Sequence, residues 1–169
     1  NADGRMNHGG YWRFENEWPL ARTEYTSYYL HADNTLRTEA PNDNEPPTRY
    51  QFDPAHPVPT IGGHISGGLM TPAGAYHQQE RPDCYGSRQP YLPLSSRHDV
   101  LVFQTLPLED DVEVTGPITV ELWVASSALD TDFTAKLLDV YPPNYDYPHG
   151  FDMNLTDSIM RARYRDSYE

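Results

Sequence analysis

The sequence contains a single cysteine, Cys84, among 169 residues. One thiol cannot close an internal disulfide, and with no activating histidine beside it Cys84 reads as incidental rather than catalytic. Positive charge is also scarce, with 12 Lys and Arg against 25 Asp and Glu and a formal net charge of -13. Such a field repels phosphate backbones and anionic lipid, which argues against nucleic acid and membrane partners. No apolar run reaches the ~20 residues of a transmembrane helix, and the chain does not open on the charged-then-apolar pattern of a signal peptide. A soluble chain, with a cytoplasmic setting, is the expectation.

Aliphatic side chains are missing from one half. Leu, Ile, Val and Phe fill 20 of the 71 positions from 99 to 169 but only 11 of the 98 before them. Residues 1–98 therefore cannot build a core alone. Their material is aromatic and proline instead, with seven aromatics between Tyr11 and Tyr29 and ten prolines between Pro41 and Pro93. Tyrosine and tryptophan offer contact area with a polar handle, and proline stiffens irregular chain, so this half reads as ordered loops laid over another surface.

Catalytic constellations are absent too. There is no Gly-x-Ser-x-Gly elbow; the nearest string, GGHISGG at 62–68, has His64 where the first glycine belongs and reads as a loop. The seven histidines show neither His-x-His nor His-Glu-x-x-His spacing, so no metal site and no cofactor is expected. The sequon NLT at 154–156 adjoins a predicted strand and reads as chance.

What the second half does contain is alternation. DVLVFQT (99–105), DVEVTGP (111–117) and ITVELWVA (118–125) repeat with period two between turn signals, as strands do. DFTAKLLDV places Phe133, Ala135 and Leu137 on one face, and IMRARYR places Arg161, Arg163 and Arg165 on one face of a further strand. Short strands, many Pro and Gly turns and no helical periodicity predict an all-β jelly-roll sandwich, with residues 1–98 a loop-rich leading segment and 99–169 the strands of the same single domain. Asp130 and Asp132 sit where such a pattern normally has apolar or neutral side chains. A buried carboxylate needs a partner, so each is expected to bond the arginine row or the amides of the turn at Ala128-Leu129. Calcium is the rival reading, although no loop of ligand-like spacing surrounds the pair.

Four strings go further: YWRFENEWPLARTEYTSYYLHADNTL (11–36), YQFDPAHPVPTIGG (50–63), RHDVLVFQTLPLEDDVEVTGPITVELWVASSALDTDFTAKLLDVYP (97–142) and NLTDSIMRARYR (154–165). In this order they resemble the C-terminal domain of the X-prolyl dipeptidyl-peptidase and cocaine esterase (CocE/NonD) family of serine hydrolases. The resemblance implies a galactose-binding-like jelly roll that follows an α/β-hydrolase domain with a helical cap, the Ser-Asp-His triad lying wholly on the hydrolase portion. It implies that no catalytic residue is in this chain, that the chain alone is inactive, and that it stops before the family's last strands. The implied partners are the hydrolase and cap domains of one parent protein, a small ester, amide or peptide substrate, and a second copy in a homo-oligomer. Asn34 and Ser158 occupy positions where the family usually has a turn glycine. The stretch after Gly63 approaches the acyl pocket in the family, which makes Ile65, Leu69 and Met70 candidate pocket-wall residues within the long loop 64–97. The alternative from another class is a stand-alone carbohydrate-binding or adhesion module, with tyrosine and tryptophan stacking on sugars.

Overall fold

The computed structural model describes residues 12–42, 44–64, 67–68 and 70–167. Their fold is all-β: β1 (Tyr29–Leu30) pairs antiparallel with β2 (Leu36–Arg37), and β3 (Asp132–Tyr141) pairs antiparallel with β4 (Phe151–Arg161), with two short 3₁₀ turns and no α-helix among the described residues. The chain divides into two compact units, one of His56–Leu94 with Val120–Glu169, the other of Tyr11–Ala55 with Ser95–Thr119. No helix among the described residues is long and apolar enough to cross a membrane.

The predicted strand DFTAKLLDV forms as β3, but the three predicted strands between 99 and 125 do not form. Among the described residues that stretch makes one bridge, Gln104 to Thr35, and no ladder. Period two puts Ile118 and Trp123 on opposite faces, and both are open, at 50% and 93% exposure. Alternation specifies which side chains share a face; it does not supply the neighbouring edge whose N–H and C=O groups a strand must pair with. The predicted arginine row is likewise broken. β4 ends at Arg161 and the chain turns through a 3₁₀ segment, Ala162–Tyr164, so Arg163 and Arg165 do not continue the strand face. Ser158 lies within β4 opposite Ala135, with no turn there, whereas Asn34 does take the left-handed backbone of a turn at φ 65°.

In the first unit a register shift between Leu137 and Leu138 leaves Leu155 as the extra residue of a bulge. Met153 and Asn154, in the regular ladder just before the bulge, point to opposite faces and are both buried, at 4% and 1% exposure, so both faces are covered at this point. The free edge of β4 is partly covered by the 76–78 segment, since Asn154 N–H donates to the Tyr76 carbonyl and Gln78 N–H to the Asp152 carbonyl. One face of this arrangement carries Phe151, stacked on His77 and met edge-on by Tyr147 at centroid distances of 4.8 Å. The other carries Lys136, Leu138, Asp152, Asn154 and Asp157, with Tyr76 and Gln78 beside them. Across that second face runs the 61–64 segment, and Ile61, Tyr76 and Leu94 form the apolar cluster next to it, with Val58 and Cys84 packed against them.

The second unit turns tightly between β1 and β2. Asp33 Oδ1 accepts from the Thr35 amide and hydroxyl, which fixes the turn that Asn34 completes. Below it, buried His31 spans two oxygens, Glu45 Oε1 at Nδ1 and the Glu39 carbonyl at Nε2, both at 2.9 Å. The Ala32 amide and the His31 ring hold the Glu45 carboxyl below its ordinary range. A carboxylate whose folded value is lowered stabilises the fold above its unfolded value, and that contribution is lost as pH falls through the lowered one. The melting temperature is therefore expected to drop on acidification below the ordinary 4.5 of Glu45, and Glu45→Gln is expected to remove part of that drop. Parallel melting-temperature profiles for the two proteins would show the clasp to be without effect.

Candidate functional site

The two aspartates of the 126–140 stretch each hold one arginine. Arg161 donates from Nε to Asp132 Oδ1 at 2.8 Å and from Nη2 to Oδ2 at 3.2 Å, a fork made possible because Asp132 and Arg161 are register partners at the end of the β3–β4 ladder. Asp130 takes the Arg163 guanidinium and the Arg163 and Thr131 amides. Neither bonds the turn at Ala128-Leu129, whose Ala128 amide donates to Ser126 Oγ. Arg165 joins neither aspartate; its guanidinium lies near Asp166 and donates to the Ala162 carbonyl. The hydrogen bond from Arg161 holds the Asp132 carboxyl below its ordinary range. Partial desolvation pushes Asp130 up, but the bonds from Arg163 outweigh it and the net position is lowered. Exposure is higher than a buried pair requires, with side chains 38% open at Asp132 and 50% at Arg161. Pairs so exposed add little to stability. Both contacts lie where the chain leaves β4, at its last residue Arg161 and two residues beyond.

A second cluster stands at the neck of the long loop. Gly63 and Gly74 exchange reciprocal N–H to C=O bonds at 2.9 Å, closing the residues between them into a loop. The close approach needs glycine: a Cβ on Gly63 would come within 2.7 Å of Asp157 Oδ2, and its φ is +101°. Asp157, on β4, in turn engages His64. Its Oδ1 lies 2.7 Å from His64 Nδ1, and its Oδ2 lies 3.6 Å from Lys136 Nζ. Desolvation pushes the Asp157 carboxyl up, but the His64 bonds and the Lys136 charge hold it below its ordinary range. Burial pushes the Lys136 ammonium down, opposed by Asp157.

The carboxylate fixes the imidazole orientation and leaves Nε2 turned away from Asp157, on a side chain 53% exposed. That is the base-and-orienter half of a nucleophile-activating constellation. Among the described residues no hydroxyl or thiol is hydrogen-bonded to His64, so the constellation carries no nucleophile there. Sequence reasoning missed the pair because 93 residues separate its members; the only local signal was the Gly-Gly that precedes His64. Of the predicted pocket-wall residues, Ile65 and Leu69 lie outside the described residues, and Met70 is 57% exposed. Asn154 of the sequon is fully buried, which puts it out of reach of glycosylation in the folded chain. Among the described residues no three His, Cys, Asp or Glu side chains gather as metal ligands.

Residues 2–169 match the family described as the X-Pro dipeptidyl-peptidase C-terminal non-catalytic domain. The chain belongs to this family. Its curated relatives include the cocaine esterase of Rhodococcus sp. (strain MB1 Bresler), 37% identical over 166 residues, a match that spans 92% of this chain and 25% of the esterase. Two mycobacterial proteins named as serine esterases, from Mycobacterium bovis and Mycobacterium tuberculosis, are each 27% identical over 163 residues, 91% of this chain and 21% of their own length. The family domain thus spans about a quarter or less of the relatives it matches. No solved structure gives a significant match to it.

Proposed function

We propose that the chain acts as the non-catalytic C-terminal domain of a cytoplasmic, esterase-type serine hydrolase, laid out as a galactose-binding-like jelly roll that shapes the substrate cleft without supplying the triad. The partners on this reading are the α/β-hydrolase and cap domains of the same protein, and the substrate is a small ester, X-Pro amide or peptide. The reaction is acyl transfer to water through a serine ester formed on the hydrolase domain. The observation that carries the reading is apolar surface in need of a cover. Trp12 is 98% exposed, Phe14 99% and Trp18 67%, within the loop-rich segment 1–98. Aromatic area of this size left open marks an interaction surface. Packing against the hydrolase domain gives it a use that family membership makes natural. On the same reading Ile65, Leu69 and Met70 line the acyl side of the cleft, while Asp130, Asp132, Arg161, Arg163 and Arg165 serve structure only.

Activity-based labelling tests this. A fluorophosphonate probe is expected to label a serine in the full-length protein that carries this chain, outside residues 1–169, and to leave the 169-residue chain unlabelled. Labelling within the chain would overturn the reading; a full-length protein that binds oligosaccharide and takes up no probe would favour a carbohydrate-binding module. In the labelled protein, Leu69→Ala and Met70→Ala are expected to change the ratio of kcat/KM for short and bulky acyl groups. An unchanged ratio with lowered stability makes these side chains interdomain packing.

A further inference from the structure

Among the described residues, four buried side-chain atoms of the first unit have no hydrogen-bond partner: Lys136 Nζ, Asn154 Oδ1, Asn154 Nδ2 and Gln78 Oε1. The β3–β4 register puts Lys136 and Asn154 on one face, opposite Asp157 and Leu138 respectively, and the Tyr76–Asn154 and Gln78–Asp152 bonds bring Gln78 onto that face as well. The 61–64 segment lies over it, held by the bond from Gln78 Nε2 to the Ile61 carbonyl and by the His64–Asp157 contact. Gathering of such atoms beneath one strap is not what random imperfections of packing give, because buried polar groups in folded proteins are nearly all bonded.

We propose that this face is an internal hydration site, in which one or more bound waters bridge Lys136, Asn154 and Gln78 beneath the 61–64 strap. The chemistry of the four atoms selects water. Lys136 Nζ and Asn154 Nδ2 can only donate, whereas Asn154 Oδ1 and Gln78 Oε1 can only accept, so the guest must both accept and donate at short range. An anion meets the two donors and faces two carbonyl oxygens and the Asp157 carboxylate. A cation faces the Lys136 ammonium. Water offers two donors and two acceptors in the smallest guest that can do both, and three or so protein partners are the usual complement of a buried water. Asn154 is 1% exposed and Gln78 3%, which leaves no route for a larger guest to both side chains while the strap is seated.

The test turns on a sign. Leucine has nearly the shape of asparagine, so Asn154→Leu removes the polar atoms with little change in volume. If the carboxamide is truly unbonded, removing it relieves a desolvation penalty and the melting temperature of the full-length protein rises. If bound water satisfies it, the substitution strands that water against an apolar wall and lowers the melting temperature, by roughly 2–4 °C for a loss near 1 kcal/mol. A crystal structure of the full-length protein gives the second readout. Ordered water within about 3.2 Å of at least two of the four atoms is the result expected. A rise in melting temperature on Asn154→Leu, or density showing these atoms bonded to protein or to a non-water ligand, overturns the proposal.

Discussion

Phe151→Ala is expected to destabilise the protein by about 3–5 kcal/mol, the range for deleting a fully buried aromatic ring. Phe151 opens β4 and is 2% exposed. Its ring stacks on His77 with 22° between planes and meets Tyr147 edge-on at 65°, so one side chain joins the β4 ladder, the bridging 76–79 segment and the turn that precedes β4. The His77 ring it supports also works as an acceptor, taking the Asp152 amide at Nδ1 at 2.9 Å. Removing the phenyl group therefore loses its transfer free energy, leaves a cavity, and loosens a ring whose orientation secures a backbone bond. Phe151→Leu keeps most of the apolar volume and loses the ring pairs, which contribute about 0.5–1.5 kcal/mol each beyond area. Urea unfolding monitored by circular dichroism separates the two variants. A loss below about 1 kcal/mol for Phe151→Ala would mean that this cluster is not a core of the unit.

How much of this was legible in the sequence depends on the range over which each signal acts. The all-β class and the strand at 132–141 follow from local alternation, which each residue carries with it. That Asp130 and Asp132 would need fixed partners follows from the cost of an unpaired carboxylate, and the chain offers few cations to choose from. Which arginine each takes does not follow, because it depends on where β4 stops: at Arg161 the ladder ends opposite Asp132, and the turn after it brings Arg163 back to Asp130. The segments at 99–125 illustrate the opposite limit. Their pattern is as regular as that of β3, yet a strand exists only where an edge meets it, and an edge is a property of chain remote in sequence. His64 with Asp157, and His31 with Glu45, were invisible for the same reason, since a contact between residues far apart leaves no periodicity. The local trace that the first of them does leave is glycine, which by itself names no partner. Two successive glycines at a strand-like string's end are the sequence's way of allowing backbone to approach another surface.

Gly62 is where that allowance is spent most fully, and Gly62→Ala is the second substitution of large expected effect, at about 3 kcal/mol. Two contributions add. The residue sits at φ +67°, where an L side chain costs about 1–2 kcal/mol. A Cβ there would also stand 2.5 Å from the Gly74 carbonyl oxygen and 2.8 Å from Tyr76 Cδ2. The first of those atoms is backbone, and it already accepts the amides of Gly63 and Tyr76, so it cannot retreat without opening the neck of the loop. The second belongs to a ring of the Ile61, Tyr76 and Leu94 cluster, so displacement spreads into the core. Gly68→Ala isolates one contribution from the other. Gly68 has nearly the same backbone, φ +70°, but a Cβ there meets nothing within 4 Å, so its loss is expected to stay near the 1–2 kcal/mol of the left-handed backbone alone. Denaturant midpoints of the two variants measured side by side decide the matter. Equal losses would show that the left-handed backbone accounts for the whole effect and that the Gly62–Gly74 approach is looser than 2.5 Å implies; a larger loss at Gly62 locates the difference in the packed contact that closes the loop.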